Sequence, residues 1–157
     1  VADVKVTVKI DPLIKNAVRN FPDKNTLSDA GKYIVEEIKN SASVGKSATR
    51  GVKRFPKYKN EKRYPGKRKP KRPVNLELTG DMFGALKFWF SRSKLKIGFR
   101  DSEQKKKAKT HLEGLGGVPK RNFMPVKESE DFTVTIKRGL VEIYKDAFFA
   151  IIKKSNK

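Results

Sequence analysis

The sequence predicts a single α+β domain, a small and mainly antiparallel sheet built around a β-hairpin, packed against two or three helices, with a long basic loop inserted. Three observations predict it. Apolar residues alternate with period two over 4–10 and on both sides of Arg92-Ser93, and they recur at helical spacing over 27–42 and 132–152. Between Val44 and Pro73 the apolar pattern stops, while basic groups and four prolines accumulate. A chain of 157 residues holds one domain with a modest core, and the reading is one domain over 1–157 with a basic extended arm or loop at 45–73.

The elements follow in order. Val4, Val6, Val8 and Ile10 face one way and Lys5, Thr7 and Lys9 the other, as in a half-buried strand. Asp11-Pro12 ends it and suits the cap and first residue of a short helix to about Asn20, carrying Leu13, Ile14, Ala17 and Val18. Thr26-Leu27-Ser28-Asp29 reads as a capping box opening a longer helix, whose Leu27, Ala30, Ile34, Val35, Ile38 and Ala42 form one apolar stripe. Order resumes at Val74-Asn75-Leu76-Glu77-Leu78, followed by a helical turn after Thr79-Gly80. Leu86, Phe88 and Phe90 then alternate with Lys87, Trp89 and Ser91, and after the Arg92-Ser93 reversal Leu95, Ile97 and Phe99 alternate with Lys94, Lys96 and Gly98. This is a hairpin with one apolar face.

Residues 101–113 are polar with a weak helical pattern, and Gly114 to Pro119 is a turn-rich break. An extended piece, Asn122 to Val126, leads to a C-terminal helix with Ser129 as its cap. Its apolar positions are Phe132, Ile136, Leu140, Ile143, Tyr144, Ala147, Phe148, Ile151 and Ile152. The β-branched run Thr133-Val134-Thr135-Ile136 leaves open a strand at 132–137 before a shorter helix.

Lys and Arg number 38 against 17 acidic residues, a net charge of +21, and the excess is local. Residues 1–45 carry 7 basic and 6 acidic groups, 46–73 carry 13 and 1, 74–127 carry 12 and 5, and 128–157 carry 6 and 5. The basic stretch interleaves Lys57, Lys59, Lys62, Arg63, Lys67, Arg68, Lys69, Lys71 and Arg72 with Phe55, Tyr58 and Tyr64, so phosphate contact and base stacking are both chemically available. Charge alone fits nucleic acid and an acidic protein surface equally. Lys105-Lys106-Lys107 reads as an exposed helix face. No apolar run approaches the roughly 20 residues that span a bilayer, so no membrane role is expected, and no secretion signal is visible. The absence of Cys removes disulfides, thiolate zinc sites and cysteine nucleophiles, and fits a reducing cytoplasm.

Gly45-Lys46-Ser47 imitates the end of a phosphate-binding loop, but the first required Gly is Asn40 and a helix, not a strand, precedes it. His111 is the single histidine, too few for a His-rich metal site, and packing or interface is its expected role. Asp101 and Glu103 are the nearest approach to an acidic cluster. Neither a cofactor nor catalysis is expected.

From Arg54 onward the order of short motifs resembles the Mu-type phage virion morphogenesis, or tail completion, proteins. The pieces are Arg54-Phe55, then Leu78-Thr79-Gly80-Asp81-Met82, the hairpin, Ala108-Lys109-Thr110-His111-Leu112-Glu113-Gly114, and Pro119-Lys120-Arg121-Asn122-Phe123-Met124-Pro125, over about 26–152. The resemblance implies a structural virion subunit, a ring expected to be a hexamer at the head-proximal end of the tail, assembled in the host cytoplasm. Its implied neighbours are the tail tube, the tail terminator and head-closure or portal proteins, with packaged DNA within reach of the basic arm. Head–tail joining and tail terminator roles stay open beside tail completion. Physically, Thr79-Gly80 would let the chain turn into the hairpin, and Pro119 to Pro125 would hold an extended segment on the sheet with Phe123 as anchor. The expectation from a different class is an RNA- or DNA-binding protein such as a ribosomal component, suggested by the charge of +21.

Overall fold

The computed structural model describes residues 21–52, 54–56, 81–91, 94–127 and 129–155. The expected strand at 4–10, helix at 12–20, extended piece at 74–78 and turn at Arg92-Ser93 lie outside the described residues. So do Leu78, Thr79 and Gly80, and the basic and aromatic residues from Lys57 to Arg72.

Six elements are described: α1 (Lys24–Ser43), α2 (Asp81–Gly84), β1 (Leu86–Ser91), β2 (Lys94–Phe99), α3 (Ser102–Glu113) and α4 (Val134–Ser155). The fold is α+β, a two-stranded antiparallel sheet among helices. Phe88 pairs with Ile97, Phe90 with Leu95 and Leu86 with Phe99, so the apolar alternation falls on one face as read from the sequence. That face packs on α1, where Gly31 makes the close approach possible: a Cβ there would stand 2.7 Å from the Phe88 ring. The other side of α1 meets α4, with Tyr33 lying over Gly139.

The stripe on α1 forms the core as expected, Ala30, Ile34, Ile38 and Ala42 all being buried. Burying a side chain the size of Ile38 contributes about 1.5–3 kcal/mol. The helix start differs from the sequence reading. Asp23, not Thr26, is the N-cap: its Oδ1 accepts from the Thr26 N–H at 2.8 Å and from the Thr26 hydroxyl at 2.6 Å. The carboxylate satisfies two donors at once, so the helix begins a turn earlier and Thr26 is buried in that turn.

A second correction concerns the first part of the expected arm. Residues 45–52 and 54–56 are built into the body. Gly45 N–H donates to Ala42 O and Lys46 N–H to Ser41 O, both at 2.9 Å, with Gly45 at φ 72°, a Schellman helix end that needs glycine. The phosphate-loop imitation is therefore a helix stop. Ser47, Ala48, Thr49 and Phe55 are buried, and backbone hydrogen bonds run from Ala48 N–H to Phe123 O, Thr133 N–H to Ala48 O and Arg50 N–H to Asp131 O. Small side chains let this polar stretch pack without an aliphatic pattern, because its backbone finds partners far along the chain.

At the other end of the chain, α4 starts at Val134, so Ser129 is a turn residue and not the cap. The alternative of a strand at 132–137 is not adopted: Phe132 alone makes an isolated bridge to Thr49, and 134–137 are already helical. Ile136 is buried and Leu140 packs against the core, while Val141 and Phe149 are exposed.

Candidate functional site

Sequence motifs that lie far apart meet around Arg121 and Phe123. Phe123 is wholly buried and makes edge contacts with Phe83 at 5.4 Å and with Phe99 at 6.3 Å between ring centroids. Phe83 is in α2, beside the buried Met82, and Phe99 ends β2, so one ring joins the turn before the hairpin to the hairpin's last residue. Arg121 is only 1% exposed. Its Nε and Nη2 donate to the carbonyl of Pro56 at 3.3 Å, Nη1 donates to the carbonyl of Pro119 at 3.4 Å, and its backbone N–H donates to His111 O at 2.7 Å.

The remaining motif residues divide. Phe55 is buried, and its N–H donates to Gly45 O at 2.9 Å. Gly114 ends α3 in the left-handed region at φ 75°, and a Cβ there would stand 3.1 Å from the Lys120 backbone nitrogen. Pro119 lends its carbonyl to Arg121. Arg54 is exposed, bridged through its backbone to Lys46, and Pro125 is half-buried at the end of the segment.

This arrangement fixes both ends of the basic segment. Pro56 is the last described residue before it and Asp81 the first after it. Arg121 holds the Pro56 carbonyl, and the Phe123 ring holds Phe83 two residues beyond Asp81. Between the two clamps lie 57–80, with nine Lys or Arg and two Glu.

Comparison with protein-family models, with curated proteins and with solved structures finds no match.

Other titratable groups have structural work. Asp101 caps α3, accepting from Gln104 N–H at 2.8 Å, and Glu103 pairs with Lys107 at 2.7 Å. Glu130 accepts from Val126 N–H, from Lys127 N–H and from the Asn122 amide, and the Val126 bond foremost holds its carboxyl below the usual range. Among the described residues no group of three or more His, Asp or Glu could hold a metal ion, and no helix is long and apolar enough to cross a membrane.

His111 is half-buried, and its Nδ1 finds no hydrogen-bond partner among the described residues. Desolvation first, and the neighbouring Arg121 second, lower its pKa from 6.5 to about 4. The folded state thus refuses a proton that the unfolded chain accepts. Stability is fully present above pH 6.5 and is lost as pH falls toward 4. Allowing for solvent screening of a partly exposed ring, the expected loss between pH 7 and pH 5 is about 1–2 kcal/mol. Urea midpoints at the two pH values measure it. His111→Gln should flatten the difference, because Asp23, Glu130 and Asp131, all held low, lose their contributions only near and below their ordinary values of 3.8 to 4.5.

Sequence reasoning missed one feature. Trp89, the end of β2, α3 and the loop at 118–130 enclose a cleft of about 700 Å³. Trp89, Phe99, Leu112 and Met124 line it, with Lys105, Lys109, Lys120 and Lys127 around it. Lys105, Lys106 and Lys107 are exposed on α3 as expected, and Lys105 also borders the cleft. The available signal was Trp89 on the polar side of the hairpin, where a large aromatic is out of pattern.

Proposed function

We propose that this chain is a structural, non-enzymatic subunit of a phage neck, a tail completion or head–tail joining protein that acts by assembling into a ring with the tail tube, terminator or head-closure proteins. One observation supports the reading above others. Arg121 and Phe123 of the motif series serve one buried clamp that fixes the two ends of a strongly basic segment, Arg121 reaching the Pro56 carbonyl 65 positions away, next to the Arg54-Phe55 piece. A rigid root is what a segment needs if it is to reach a neighbouring subunit in a defined direction, and a heterologous ring contact uses such a reach. The groups that clamp it are occupied in holding the fold, in keeping with a role carried by contacts.

Light scattering at micromolar concentration and electron microscopy of assembled particles test the proposal. A ring in solution, or the chain located at the neck of a virion, is expected. A strict monomer absent from particles overturns it. The nine cations between Pro56 and Asp81 favour a second reading, binding to nucleic acid. Its mark would be affinity that falls by orders of magnitude between 50 and 200 mM salt.

A further inference from the structure

The cleft beside Trp89 has a floor and a rim of different chemistry, and the two together define an occupant. Its floor is apolar, made by Phe99 at the end of β2, Leu112 on α3 and Met124 in the loop, with Trp89 as one wall. Lysines from separate parts of the chain surround it: Lys105 and Lys109 from α3, Lys120 and Lys127 from the loop. The two glutamates at the cleft are already engaged. Glu130 accepts from two backbone N–H groups and the Asn122 amide, and Glu113 stands 3.9 Å from Lys109. Lys105 and Lys120 are exposed and form no ion pair among the described residues.

From this we infer that the cleft is a docking site for an acidic segment of a partner protein, one that carries large apolar side chains among its carboxylates. The rim is opposite in sign to the carboxylates, and Lys105 and Lys120 are free to neutralise them. The floor rewards the apolar side chains, since each carbon placed there leaves water. Nucleic acid meets the rim equally well but not the floor. A base needs partners for its edge groups, and the Asn122 amide at the cleft is held by Glu130 at 2.9 Å, so a buried base edge would lose its water without replacement. The site is made by described residues alone, and it accounts for part of the charge carried by residues 74–127. It does not depend on ring assembly, because a single chain presents the whole cleft.

Trp89 is the only tryptophan in the sequence, so its emission reports on this cleft alone. The experiment titrates the full-length protein with a short synthetic peptide alternating Glu with Leu and Phe. Two controls accompany it: the same peptide with Ser in place of Leu and Phe, and oligothymidylate. A saturable change in Trp89 emission is expected with the first peptide, at least about tenfold weaker affinity with the Ser version, and about tenfold weaker affinity in the double variant K105E/K120E. Both lysines are exposed, so the variant should melt as the wild type does; Val126→Asp, at a position 52% exposed on the lining, provides a second variant with the same expected weakening. Emission unmoved by the first peptide overturns the inference, as does an equal response to the Ser version. Tighter response to oligothymidylate overturns it in favour of a nucleic-acid site. Peptide captured by the 57–72 segment instead would leave emission and K105E/K120E behaviour unchanged, and that too overturns it. Each of these failures leaves the ring measurement standing, so the two readings fall separately.

Discussion

Phe123→Ala is expected to lower the stability of the folded chain by about 3–5 kcal/mol, the range for removing a large aromatic side chain from a closed core. The ring is wholly buried, touches Phe83 on α2 and Phe99 on β2, and belongs to the same apolar cluster as Ile38, Leu86 and Ile136. Little could collapse into the space, because its neighbours are held by separate elements. A domain of this size has only about 5–15 kcal/mol to lose, so the variant should sit near the limit of folding. Urea unfolding followed by circular dichroism measures the loss. Phe123→Leu, which keeps much of the volume, should cost clearly less and provides a folded comparison if the alanine variant cannot be purified. Val141→Ala, at a position 60% exposed on α4, should change stability by less than about 0.5 kcal/mol. A loss at Phe123 no larger than at Val141 would remove the ring from its place as the anchor of the 119–125 segment.

The parts of the fold that were legible in the sequence are those whose burial follows a local period. The stripe from Ala30 to Ala42 and the paired alternation of the hairpin lie within single elements, and each residue there is buried by virtue of its spacing. Phe123 could be singled out as an anchor only through the motif resemblance, which implied that Pro119 to Pro125 holds an extended segment on the sheet. Residues 45–52 and 54–56 were illegible for the opposite reason. Ser47 is buried because its hydroxyl donates to the carbonyl of Asn122, a residue 75 positions away, and it also accepts from Thr49 N–H at 2.9 Å. Such partners leave no trace in local pattern, and a stretch of Gly, Ser, Ala and Thr among lysines reads as a loop until the fold supplies them. The cleft escaped notice likewise: its lysines come from α3 and from the loop at 118–130, and only the fold brings them to one rim. Capping was misread by a single turn because two acceptors, Asp23 and Thr26, stood three residues apart and the stronger one won.

Arg121 carries the second large expected effect, and its two substitutions should differ in an informative way. A buried guanidinium is costly to desolvate, so replacing it with an apolar side chain of similar length can be nearly neutral when its partners lose nothing. Here they lose something. The carbonyl of Pro56 receives two of its N–H groups and that of Pro119 a third, so Arg121→Met withdraws donors from two carbonyl groups, and a loss of about 1–3 kcal/mol is expected. Arg121→Lys should be worse, by several kcal/mol, because an ammonium keeps the buried charge without the planar fork that spans both carbonyls. The local consequence concerns the root of the basic segment. Arg54 is exposed, but the next peptide unit is protected, since Phe55 is buried and its N–H is bonded to Gly45 O. Trypsin can cut the Arg54–Phe55 bond only after that unit opens, and the opening is resisted by whatever holds Pro56. In Arg121→Met the rate of cleavage at this bond, assigned by mass spectrometry, should rise about tenfold or more, in proportion to a loss of at least about 1.4 kcal/mol in the local opening equilibrium. An unchanged rate at Arg54–Phe55 alongside a lowered urea midpoint would mean that Arg121 supports the core without holding the root, and the basic segment would then have no clamp on its N-terminal side.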